Sequence, residues 1–149
     1  MADIVDLPAL LAQVQGFTPL QRVLLATAGT LQGTLSAYLG APVTVDVVSQ
    51  TVRGDAVHRE VELVCKERDL VACRATTEVR VSDGRIRQLI VERSIGLGQI
   101  IALLDERAAF ELEEVADEPD VFWRRYRMWG DSFDYLITET FPKDLYAAA

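Results

Sequence analysis

Between Pro42 and Arg80 the chain is built almost entirely of strand-forming residues. "PVTVDVVSQTV", "VHREVELVC" and "LVACRATTEVR" are rich in valine and threonine and alternate between apolar and polar side chains. The last two runs flank only the polar turn "KERD". So short a connection joins antiparallel strands, and the segment reads as a β-hairpin. Helical signals precede it. "DIVDLPALLAQVQG" is amphipathic and ends at Gly16. In "TPLQRVLLATAG" Thr18 caps, Pro19 fits the first turn and Gln21 completes a capping box. "GTLQGTLSAYLG" continues as a second helix to Gly40, after a turn near Ala28–Thr30. Beyond Arg80, "GRIRQLIVER" reads as a strand and "GLGQIIALLDER" as a helix. "AFELEEVADE", "FWRRYRMW" and "YLITETF" read as three more strands. The sum is an α+β fold, an antiparallel sheet with helices packed on one face. With 149 residues and no linker-like tract, one domain spans 1–149.

Side chains on a strand alternate between faces. In "YLITETF" this groups Tyr135, Ile137, Glu139 and Phe141. A glutamate in that company is costly unless something cationic meets it. The hairpin supplies candidates. Counting back from "KERD", Cys65 pairs with Leu70, Leu63 with Ala72, Val61 with Arg74 and Arg59 with Thr76. That register puts Arg59 and Arg74 on the core face with Val61, Leu63, Cys65 and Ala72, within reach of a common ligand. Two guanidiniums against one carboxylate leave a positive excess, which an anionic ligand would neutralise. In "WRRYR", Arg125 and Arg127 share one face, and the stretch reads as mostly solvated.

The formal net charge is −8, without a basic stripe, which argues against nucleic acid as a partner. No apolar run reaches the roughly 20 residues of a membrane helix, and "MADIVDLPALL" lacks the basic start of a signal peptide. The two cysteines, Cys65 and Cys73, fall on opposite faces of the hairpin in this register. They read as small buried hydrophobes of a cytoplasmic protein, with neither a disulfide nor a zinc site. The single histidine, His58, reads as a solvent-facing strand residue.

With these residues in place, the chain resembles the chorismate pyruvate-lyase family in its compact form, found outside the ubiquinone pathway. "RVLLATAGTLQGTL" resembles the family's helical hairpin, and Arg59-Glu60 with "CRAT" its arginine-bearing hairpin. "GLGQII" resembles its Leu-Gly helix start, and "RRYRMWGDSFDYLITETF" with Leu145-Tyr146 its C-terminal signature. The resemblance runs over nearly the whole chain and rests on order and spacing. It implies a lyase fold that encloses its ligand in a pocket. It further implies cofactor-independent conversion of chorismate to 4-hydroxybenzoate and pyruvate, with a small aromatic or cyclic carboxylate as ligand. By motif position, Arg59 matches the arginine on the ring carboxylate, and the backbone N–H groups at Leu97 and Leu31 match its further donors. Arg74 and Glu139 match the catalytic pair near the 4-hydroxyl. The resemblance leaves open a monomer or a small homo-oligomer.

The chain departs from the family's pattern at the lid. Ala28 stands where an acidic or amide residue is frequent. Gln32 and Gly33 stand where threonine and a basic residue are frequent. A biosynthetic enzyme acting on another carboxylic acid, or a non-catalytic binder of aromatic acids, are the alternatives these positions raise.

Overall fold

Asp6 opens the first helix by accepting a hydrogen bond from the Ala9 N–H, and α1 runs Leu7–Gln13. The Thr18 capping box forms as the sequence predicts. The Thr18 side chain accepts from the Gln21 N–H, the Gln21 side chain accepts from the Thr18 N–H, and α2 spans Pro19–Ala26. α3 spans Leu31–Leu39 and is followed by Gly40 in the left-handed region, the usual stop for a helix. These features come from a computed structural model that describes residues 6–28, 31–82, 84, 87–88 and 108–147.

Six strands follow: β1 (Thr44–Arg53), β2 (Ala56–Cys65), β3 (Leu70–Val81), β4 (Ala109–Asp117), β5 (Val121–Trp129) and β6 (Phe133–Pro142). They form one sheet in the order β1-β2-β3-β6-β5-β4, antiparallel at every junction. The α+β fold with an antiparallel sheet is therefore as read from the sequence. "KERD" makes a 3-10 turn over Lys66–Arg68, closed by Asp69 at φ 51°. The strand expected over "GRIRQLIVER" is not what forms at Gly84, Arg87 and Gln88, which are helical. The helix expected over "GLGQIIALLDER" lies outside the described residues.

One face of the sheet is the core. Leu63, Val79, Tyr135, Tyr126 and Phe110 are buried there with Leu24, Leu25, Leu31 and Leu35 of the helices. Polar anchors hold the helices down. Gln13 of α1 donates to the Leu112 carbonyl at 2.7 Å, and Gln32 of α3 donates to the Val43 carbonyl at 2.7 Å.

Three β-bulges bend the sheet: Val48 in β1, Ala72 in β3 and Glu113 in β4 are each passed over in the pairing. The bulge at Ala72 corrects the expected hairpin register. Val64 pairs with Val71, but Leu63 pairs with Cys73, so every later residue of β3 changes face. Tyr146 serves this bulge, donating its hydroxyl to the Ala72 carbonyl at 2.8 Å. A second consequence is that Cys73 joins Cys65 in the core instead of facing away from it; both are free thiols.

Candidate functional site

Three side chains of the arginine, lysine and carboxylate types are buried in the core among the described residues: Arg59, Arg124 and Glu139. Each is placed by strand alternation. Glu139 stands in β6 between Ile137 and Phe141, with Ala75 of β3 on one side and Arg124 of β5 on the other. Arg124 is in phase with Phe122, Tyr126 and Met128, all buried. Arg59 on β2 faces Thr77, which in turn faces Ile137.

Arg124 and Glu139 form a tight pair. The guanidinium Nε donates to Glu139 Oε1 at 2.7 Å, with the side chains 1% and 7% exposed. Tyr126 donates its hydroxyl to Glu139 Oε2 at 3.2 Å. Arg124 Nη1 reaches out of the sheet layer to the carbonyls of Leu25 at 2.9 Å and Thr27 at 2.7 Å, at the end of α2. The guanidinium also lies 4.2 Å from the centre of the Tyr126 ring. Burial pulls the Arg124 guanidinium down, but the charge of Glu139 and the hydrogen bond to it outweigh this. Arg124 is held above the ordinary arginine range. Burial, reinforced by the Glu139 charge, pushes the Tyr126 phenol and the Cys73 thiol well up. Arg124, Tyr126 and Cys73 thus all keep their protons at neutral pH.

Arg59 is 1% exposed, and burial lowers its pKa from the arginine value, with Tyr135 acting in the opposite sense. Arginine stays charged even so. Strand spacing puts its Cα roughly 12 Å from that of Glu139, two strands across and two residues along. The inner-face residues of the intervening strand are Ala75 and Thr77, both small. The site therefore has cationic groups on either side of a floor with little side-chain bulk, and a fixed carboxylate at one end.

The sequence-predicted residues fall as follows. Arg59 and Glu139 do share the buried face. Arg74 does not. The Ala72 bulge turns it to the outer face, where its side chain is 65% exposed and pairs with Glu62 at 3.1 Å. The place beside Glu139 belongs to Arg124. Leu31 is buried as the first residue of α3, and Leu97 lies outside the described residues. Of the lid positions, Gln32 is tied to Val43, while Ala28 and Gly33 are exposed. His58 is exposed, and no cluster of potential metal ligands occurs among the described residues. Arg125 and Arg127 lie on the outer face as read, beside Trp123 and Trp129, but Arg124 is fully buried, contrary to the solvated reading of "WRRYR". Its signal was its phase with Phe122, Tyr126 and Met128. No helix of the described residues is long and apolar enough to cross a membrane. No protein-family model matches this sequence, and no curated protein matches it.

Proposed function

We propose that the protein is a chorismate lyase, with the inner face of the sheet as its active site. The observation that carries this reading is the burial of two arginines and one glutamate on one face, around the small residues Ala75 and Thr77. Polar groups are rarely removed from water in this way without a task. Against Glu139 the two arginines leave one positive charge, which suits a carboxylate on the ligand, and a six-membered ring suits a floor of small side chains.

The reaction breaks the C–H bond at the ring carbon bearing the hydroxyl, and its electron pair becomes a ring double bond. The C–O bond to the neighbouring enolpyruvyl group breaks, and that pair leaves on oxygen. Protonation of the released enolate gives pyruvate, and the ring becomes that of 4-hydroxybenzoate. No co-reactant is required, in keeping with the cofactor-free chemistry that the family resemblance implies. Arg59 holds the ring carboxylate through its two-pronged guanidinium. The N–H at the start of α3, at Leu31, adds a neutral donor to the same anion, the part that the resemblance implies for it. Arg124 occupies the place beside Glu139 that the resemblance gave to Arg74, and it orients that carboxylate. Glu139 orients the 4-hydroxyl or accepts the ring proton. Fixed charges in a dry site supply most of the rate acceleration.

The test is direct. Purified protein is incubated with chorismate, and pyruvate and 4-hydroxybenzoate are measured together. Equimolar release of both, faster than spontaneous decay, is expected. Release of neither, from folded protein, overturns the reading.

A further inference from the structure

We infer that Arg124 is a positioning residue that couples the end of α2 to Glu139, so that helix end and carboxylate move as one unit. A plain counter-ion for Glu139 needs no contact with a helix. A plain cap for α2 needs no carboxylate. Arg124 does both with one guanidinium, spending Nε on Glu139 Oε1 at 2.7 Å and Nη1 on the carbonyls of Leu25 and Thr27 at 2.9 and 2.7 Å. The fork is planar and rigid, so a shift of its Nη1 partners turns Nε away from the carboxylate. The Tyr126 ring beneath it, 4.2 Å away, resists that rotation.

The coupling matters for ligands because of what adjoins it. Thr27 begins the connection that ends at Leu31, the first residue of α3. Under the proposed function, on which this consequence rests, the Leu31 N–H contacts the ring carboxylate while Glu139 contacts the hydroxyl at the far end. Arg124 would then set the distance between the two ends of the site without touching substrate.

Amide hydrogen exchange and steady-state kinetics test this on three variants: Arg124→Lys, Glu139→Gln and the double variant. Lysine keeps the charge but is a single point donor that cannot span all three acceptors. Arg124→Lys should raise exchange at Thr27, Ala28 and Leu31 at least tenfold, with β3 and β6 amides unchanged. Glu139→Gln touches no helix backbone, yet it should raise exchange at the same amides at least threefold. The double variant should not exceed Arg124→Lys alone, because coupled sites are not additive. If Glu139→Gln does not fold, Glu139→Asp is read in the same way. For chorismate, Arg124→Lys should lower kcat tenfold or more, because a displaced Glu139 no longer meets the reacting ring, and should raise KM as the two ends of the site lose their spacing. Wild-type exchange at these amides in the Glu139 variant, or additive effects, would overturn the coupling. A wild type inert toward chorismate sinks the proposed function alone, and the exchange pattern then decides the coupling.

Discussion

Replacing Glu139 by glutamine changes one atom and removes one buried charge. Arg124 is then left 1% exposed with two backbone carbonyls and a neutral amide as its acceptors. Breaking a buried pair outright costs about 3–5 kcal/mol, because the remaining charge stays desolvated. The glutamine oxygen still accepts from Nε, and the Tyr126 hydroxyl can turn to accept from the amide, so the lower end, about 3 kcal/mol, applies. A chain of 149 residues has a stability of roughly 7–22 kcal/mol, so the fold survives. At roughly 2–4 °C per kcal/mol, Tm should fall by about 6–12 °C. Thermal unfolding followed by circular dichroism reads this. The loss should be the same at low and high salt, since buried charges are poorly screened. The control is Arg127→Gln, which breaks a two-bond pair with Asp134 whose side chains are each 41% exposed. That pair should cost no more than about 1 kcal/mol and respond to salt. A Glu139→Gln loss as small as the control's would refute the assignment of a desolvated pair. In the same variant, turnover of chorismate should drop roughly a hundredfold, as for a lost general base, while 4-hydroxybenzoate binds as well or better. Loss of binding and turnover together would instead make Glu139 the structural partner of Arg124.

Three further outcomes follow from the same geometry. Arg59→Ala should weaken 4-hydroxybenzoate binding by about 3 kcal/mol, the scale of a charge-assisted bidentate contact, and calorimetry that finds equal affinity removes Arg59 from the site. Arg74→Ala should leave ligand affinity unchanged and shift stability by less than about 0.5 kcal/mol, as for an exposed pair. A large loss of activity would return Arg74 to the chemistry. Stability should fall at alkaline pH, because the raised Cys73 and Tyr126 groups keep protons that the unfolded chain gives up. The fall should begin near the ordinary thiol and phenol values, about 8.5 and 10. Cys73→Ala and Tyr126→Phe should each flatten that limb in pH-dependent denaturant titrations, and an unchanged slope in both excludes these groups as its source.

Most of the fold was legible because its elements have strong local signals. The Thr18 capping box, the "KERD" turn and the alternation of "YLITETF" all produce the elements they predict. The buried Glu139 and Arg59 were legible for the same reason. Arg74 was misread because the register was counted outward from the turn as though β3 were regular. The phase of β3 itself says otherwise. Cys73, Ala75, Thr77, Val79 and Val81 alternate with Arg74, Thr76, Glu78 and Arg80, so one residue had to be absorbed before Cys73. A bulge is invisible to turn counting but visible as this slip between two alternations. Arg124 was misread for a different reason. Three arginines in four positions suggest solvent, and charge density hid the period-two pattern that places the first of them inside.

The long reach of the anchors has a consequence for how the chain is made. Arg124 bonds to Leu25 and Thr27 across 99 and 97 positions, and Gln13 bonds to Leu112 across 99. Tyr38 donates to the Leu145 carbonyl across 107. α1 and α2 leave the ribosome before the sheet, yet Gln13 and the end of α2 find their partners only on β4 and β5. Meanwhile β1, β2 and β3 pair with near neighbours and can assemble on their own schedule. α3 is tied early, by Gln32 to the Val43 carbonyl, but among the described residues the apolar side of α2, with Leu24 and Leu25, has no long-range polar clasp until Arg124 of β5 is out. Apolar surface left uncovered in that interval is what makes partly made chains prone to aggregate, and slowing translation between β3 and β5 would lengthen it.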